Sequence, residues 1–208
     1  EILDELGVKK GSVEDYLSEE YDMPVYCQLG VADYVKQKDG SAVVASHFFK
    51  DPAGYESNFM RFAEVTQLFI AGHYYGDGAP FLFTREDAKS SKFKIEVVAD
   101  ISCDVDGPVA STLRASTIAN PFYGYDAQAE REVAYDAEGA ITVMAVDNLP
   151  CELPKDASEG FGDMFVEHVL PAFFNNDKDG ILKRARMTQK GKLTEQYSYL
   201  QDYVDGKE

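Results

Sequence analysis

The stretch "AITVMAVDNLPCELPKDAS", residues 140 to 158, decides how this chain is read. Residues 141 to 146 are apolar throughout, the composition of a strand buried on both faces. The run stops abruptly in Asp147-Asn148-Leu149-Pro150. Past a second proline, Pro154, the spacing Asp156-x-x-Glu159 predicts a capped helix. Its apolar positions Phe161, Met164, Phe165, His168, Val169 and Ala172 would form one stripe. A core strand gains nothing from two polar residues at its end, whereas a binding site does.

Working outward, residues 66 to 72 ("TQLFIAG") and 93 to 101 ("FKIEVVADI") read as two more buried strands. Between them, Thr84-x-x-Asp87 caps a short helix. Asp51-Pro52 is a helix start, with Tyr55, Phe59, Phe62 and Ala63 following at helical spacing. Ser12-x-x-Asp15 caps another short helix, and residues 23 to 29 read as a strand or extended loop. Residues 107 to 139 read as loops and short strands, with a tyrosine-rich turn at Tyr123-Gly124-Tyr125-Asp126. Uniformly apolar strands separated by helices predict an α/β fold, a Rossmann-like doubly wound parallel sheet. It would occupy residues 1 to 150, with a C-terminal helical segment over 151 to 208. Glu1 to Leu6 read as the last turns of a helix closed by Gly7. The first strand and its Gly-rich loop are therefore expected just upstream.

The 208 residues, 45% of them hydrophobic, are enough for one large core. With 20 Lys and Arg against 37 Asp and Glu, the net charge of −17 argues against nucleic-acid binding. No apolar run approaches the ~18 residues of a membrane span. Cys27, Cys103 and Cys151 are dispersed, with no C-x-x-C pair, which suggests reduced thiols and a cytoplasmic protein. The three histidines lack ligand-like spacing, and no metal site is expected. Asn175, Asp177, Asp179 and Gly180 imitate a calcium loop, but Arg186 stands where a bidentate Glu belongs.

In open parallel sheets, ligands bind at the carboxyl ends of the strands. The first predicted strand runs into Gly72, His73 and Tyr74. The second ends in Asp100 and Ile101, with Asp104 beyond. The third ends in Val146, Asp147, Asn148 and Leu149. Carboxylates and an amide can serve ribose hydroxyls and a carboxamide, and a glycine lets a cofactor approach the backbone. The usual phosphate fingerprint is missing: Gly76-x-Gly78 meets Phe81 where a third glycine belongs, and no G-x-x-x-x-G-K-[ST] occurs.

With these residues in view, the sequence resembles the lysine-ketoglutarate reductase and lysine-forming saccharopine dehydrogenase family, within the alanine dehydrogenase and transhydrogenase superfamily. The likeness rests on six collinear pieces. They are "YESNF" (55–59), "TREDA" (84–88), "VVADISCDVDG" (97–107), "STIANPFYGYD" (116–126), "DNLPCELPKDASEGFGDM" (147–164) and "GKLTEQYSYLQ" (191–201). The resemblance implies an oxidoreductase using NAD or NADP, acting on lysine, 2-oxoglutarate and saccharopine by hydride transfer at an imine carbon. It places Gly72, His73 and Tyr74 in a cofactor-contacting loop. Asp100, Ile101 and Asp104 would lie beside the nicotinamide ribose, and Val146 to Leu149 against the nicotinamide half. No catalytic motif is matched, so no catalytic residue is assigned, and the chain reads as a fragment whose C-terminal segment would pack on an N-terminal catalytic domain.

Two other readings stand beside this one. One is an alanine-dehydrogenase-like enzyme acting on a smaller amino acid. The other is a non-catalytic module that binds a nucleotide or a protein. A sheet missing its first strand would also leave an edge or gap, which predicts self-association into a homo-oligomer.

Overall fold

Burial along the strands alternates rather than running unbroken, and this organises the structure. The computed structural model describes residues 2 to 76 and 78 to 207. Five strands form the main sheet: β1 (Leu68–Ala71), β2 (Val97–Asp100), β3 (Phe122–Asp126), β4 (Arg131–Val133) and β5 (Ile141–Met144). Their order is β1-β2-β5-β3-β4. The three strands expected from the sequence are present, adjacent and parallel, with Val97 opposite both Leu68 and Thr142.

The sheet is mixed, which corrects the all-parallel expectation. β3 runs antiparallel to β5 and pairs with β4 as a hairpin. The tyrosine-rich segment expected to be a turn is thus a strand. Tyr123 and Tyr125 point into the core, 2% and 0% exposed. The hairpin turn follows at Asp126, whose Oδ1 accepts from the N–H groups of Gln128 and Ala129 at 2.9 and 3.0 Å.

One sheet face carries the core. Ala71, Val98, Tyr123, Tyr125, Ile141 and Val143 pack there with Phe59, Phe62 and Ala63. Helices Met60–Ala63 and Arg85–Ala88 both contribute to this face. Thr84 and Asp87 form the expected reciprocal capping box. Ser12 likewise caps Val13–Ser18 by accepting from Asp15 N–H at 3.1 Å. Gly7 ends helix Ile2–Glu5 at φ +75°; Glu1, included in that expected helix, lies outside the described residues.

Two expected helix starts differ. Asp51 caps only the short 3-10 turn Pro52–Gly54, and the chain then extends as Tyr55–Ser57. That segment pairs antiparallel with residues Val35–Gln37. Tyr55 is buried with Val35 and Phe48 in a small second cluster, a contact that a helix through residue 55 would forfeit. Further on, helix Pro154–Met164 begins with its proline at the first turn and Leu153 before it, so Asp156 lies inside the first turn rather than capping.

By contacts the chain divides into units Glu1–Leu149 and Pro150–Glu208. The first holds the sheet. In the second, Pro154–Met164 continues through one wide turn, Phe165–Val169, and a 3-10 turn, Leu170–Phe173. The calcium-like segment is a turn leading to helix Ile181–Ala185, where Asp177 accepts from Leu182 and Lys183 N–H at 2.9 and 2.8 Å. Among the described residues no helix is long and apolar enough to cross a membrane.

Candidate site at the carboxyl ends of the parallel strands

Because β1, β2 and β5 run in the same direction, their carboxyl ends share one edge of the sheet. The Ala71 carbonyl accepts from Ile101 N–H at 2.8 Å and Ser102 N–H at 3.2 Å, so β1 and β2 stay joined past their last paired residues. Gly72 is exposed, and a Cβ built there would meet nothing within 4 Å. Open space, rather than internal crowding, surrounds it.

His73 is half-buried. Its Nδ1 lies 3.4 Å from Ser102 Oγ, whose hydroxyl donates to the His73 carbonyl at 3.1 Å. The Tyr34 and His73 rings meet in a T-shaped arrangement, 6.3 Å between centroids. His73 Nε2 is buried with no hydrogen-bond partner among the described residues. Burial pulls the imidazole pKa below its ordinary value, against the opposing pull of Asp100 and Asp104. Tyr74, next along, is 76% exposed. Asp77, in the same loop, lies outside the described residues.

At the end of β2, Asp100 is turned inward. It is 1% exposed, accepts from the Thr112 hydroxyl at 2.6 Å and from Cys103 N–H at 3.1 Å. Both of its oxygens are thus committed inside the protein. Ile101 is 49% exposed and Asp104 half-buried. Asp106, beyond them, is paired with Arg85 at 2.8 Å.

Cys103, which the sequence marks only as a reduced thiol, connects two strand ends. It sits at φ +54°, in the left-handed region, and its thiol donates to the Ala145 carbonyl at 3.2 Å. Burial raises its pKa, and the carboxylates of Asp100, Asp147 and Asp104 raise it further. The thiol therefore stays protonated and keeps its hydrogen bond. No feature of the sequence signals this role, since a cysteine at positive φ has no motif.

At the end of β5, Ala145 N–H donates to Ser116 Oγ at 3.0 Å, and Ser116 N–H returns to the Ala145 carbonyl at 2.8 Å. Val146 is buried, whereas Asp147 and Asn148 are exposed and Leu149 half-buried at the start of the turn Leu149–Glu152. The edge thus brings together His73, Ser102, Cys103 and Asp104, with Asp147 close enough to act on the thiol. Tyr74 and Ile101 stand exposed beside them, while Asp100 and Val146 face inward. Among the described residues no cluster of His, Cys, Asp or Glu could hold a metal ion.

His73 makes a pH prediction. Its pKa is about 6.5 in an unfolded chain and lower in the folded one. As pH falls through about 6.5 the unfolded chain binds the proton first, and stability drops until the pH lies below the folded pKa. Between about pH 7.5 and about pH 5.5 the native protein should lose more melting temperature than His73→Asn. Equal losses in thermal melts would remove the case for a neutral, buried imidazole.

The fold and this edge define an α/β domain with a polar, partly unsatisfied surface where three parallel strands end. No protein-family model matches the chain. By sequence it is a distant homologue of part of alpha-aminoadipic semialdehyde synthase. It is 32% identical to the mitochondrial protein of Mus musculus over 187 aligned positions, covering 76% of this chain and 20% of that protein. The Rattus norvegicus protein gives the same identity and coverage. The Arabidopsis thaliana protein is 29% identical over 209 aligned positions, covering 95% of this chain and 20% of the relative. The chain spans about a fifth of the length of the curated relatives it matches.

Proposed function

We propose that residues 1 to 149 supply the nicotinamide end of an NAD or NADP site in an oxidoreductase of the lysine-ketoglutarate reductase type. Lysine, 2-oxoglutarate and saccharopine are its proposed substrates. The observation that carries this reading is the buried, unpartnered Nε2 of His73 at the joined ends of three parallel strands. A buried polar atom without a partner is costly, and a ligand group would relieve it. Homology to alpha-aminoadipic semialdehyde synthase supports the same chemistry.

The residues fit one half of the cofactor. Asp147 and Asn148 would serve the carboxamide and ribose hydroxyls, His73 would meet a polar group through Nε2, and Ile101 would cover a ring face. Gly72 leaves room for the approach. The pyrophosphate has no such cradle here, because Gly76-x-Gly78 lacks the third glycine and helix that hold phosphates. The nicotinamide supplies the hydride when bound; these side chains orient it and exclude water. We propose a reducing compartment such as the cytoplasm, a reading that three dispersed cysteines support, although the mouse and rat relatives are named as mitochondrial.

Without the phosphate cradle, affinity should be weak, on the order of 1 mM. Saturation-transfer NMR of the chain with NADH and with NADPH should therefore label nicotinamide protons more than adenine protons. His73→Ala should abolish that labelling while leaving the far-UV circular dichroism intact. Labelling of adenine alone, or of neither ring, would sink the proposal. In an active full-length protein, oxidation of the reduced cofactor should require lysine plus 2-oxoglutarate. Turnover with only pyruvate plus ammonia would favour the alanine-dehydrogenase-like reading.

A further inference from the structure

Ser102 makes three contacts with one hydroxyl. Its Oγ lies 3.1 Å from the His73 carbonyl oxygen, 3.4 Å from the Ala71 carbonyl oxygen and 3.4 Å from His73 Nδ1. A carbonyl oxygen can only accept, so the two carbonyls claim the single Ser102 proton, the nearer of them first. Toward the imidazole Oγ then presents a lone pair. Nδ1 meets it only as a donor, because two facing lone pairs repel. Ser102 is itself held in place: its N–H donates to the Ala71 carbonyl at 3.2 Å, across the joined ends of β1 and β2.

The consequence falls on the other ring nitrogen. A neutral imidazole carries one proton, and with that proton on Nδ1 the buried Nε2 is a bare acceptor. A second proton would place a charge and an unpartnered N–H at the same buried position. Burial already opposes it, pulling the imidazole pKa down against Asp100 and Asp104. Phosphate and ionised carboxylate oxygens have no proton to offer this nitrogen. An amide N–H or a hydroxyl does.

We infer that Ser102 is a positioning residue that fixes His73 as its Nδ1–H tautomer, so that Nε2 selects a hydrogen-bond donor, the carboxamide N–H of nicotinamide over the carboxylate of nicotinic acid. A carboxamide has two N–H bonds, so one can serve His73 while the other serves an exposed carboxylate such as Asp147. The identity of the donor rests on the cofactor reading; the tautomer does not.

Long-range proton–nitrogen NMR of the imidazole rings at about pH 7.5, above the ordinary histidine pKa, tests the inference, with His73 assigned by its loss in His73→Asn. The free protein should show a protonated Nδ1 and a bare Nε2 at His73. Ser102→Thr, which keeps the hydroxyl, should keep this pattern. Ser102→Ala should move the proton toward Nε2 and weaken NAD binding about fivefold, the worth of one hydrogen bond. NAD should shift the Nε2 resonance. Its nicotinic-acid analogue, with the same phosphates, should bind at least about tenfold more weakly and leave that resonance in place. If circular dichroism shows Ser102→Ala unfolded, the native tautomer and Ser102→Thr still decide. A protonated Nε2 in the free protein would overturn the inference and leave the cofactor reading standing on its saturation transfer. Equal binding of NAD and its analogue would do the same. A protonated Nδ1 with no response to either dinucleotide would instead remove the cofactor reading, and the donor assignment with it.

Discussion

Gly124→Ala should destabilise the sheet by about 3 kcal/mol, read as a lowered urea midpoint with an unchanged slope. Gly124 lies at the centre of β3, opposite Val133 on β4 and Thr142 on β5. A Cβ there would collide with the carbonyl oxygen of Ala134, and would stand 2.9 Å from its carbon and 3.0 Å from Val133 Cγ2. Two of those atoms are backbone in a paired hairpin, so neither rotates away. The strand on either side supplies Tyr123 and Tyr125 to the core, which holds β3 in place against any shift that would relieve the clash. Gly72→Ala is the contrast: nothing lies within 4 Å of its added carbon, and the change should cost less than about 0.5 kcal/mol. Equal midpoints for the two variants would show that the hairpin does not approach β3 as described.

The same glycine explains why part of the fold was illegible in the sequence. Gly124 and Asp126 carry the composition of a turn, and they masked a strand whose tyrosines alternate inward with period two. Only the close passage of residue 134, fixed by long-range pairing, accounts for the glycine. The three parallel strands were legible because nothing competes with their apolar runs. Their apolar residues on both sides also implied cover on both faces, and within the first unit only one face has it. The start at Asp51-Pro52 was read correctly as a cap and wrongly as a long helix. Burial of Tyr55 against Val35 and Phe48 outweighs local helical spacing.

Of the site, its location was legible and its internal wiring was not. Strand ends in His73, Asp104 and Asp147 follow from the rule that parallel strands present ligand groups at their carboxyl ends. The fate of Asp100 does not follow, because its partner Thr112 comes twelve residues later in an irregular segment. Ser102 and Cys103 carry no motif that marks a site role. Their contacts to His73 and Ala145 arise only once the neighbouring strands are placed.

Two carboxylates at this edge should therefore behave in opposite ways. Asp100→Ala removes the acceptor for the Thr112 hydroxyl and for Cys103 N–H, leaving both unpaired where the parent side chain is 1% exposed. Orphaning one buried and one half-buried donor should cost about 2–4 kcal/mol. The turn through Cys103, held at positive φ and tied to Ala145 by its thiol, should loosen with it. Asp147→Ala, at an exposed strand end, should change stability by less than about 0.5 kcal/mol. Under the proposed function it should nevertheless remove most of the nicotinamide saturation transfer, since its carboxylate faces outward. Urea midpoints and NMR on the two variants separate these roles. If Asp100→Ala is as stable as the native chain, its two hydrogen bonds do not hold the edge together. If Asp147→Ala keeps full labelling, the exposed end of β5 is not where the cofactor rests.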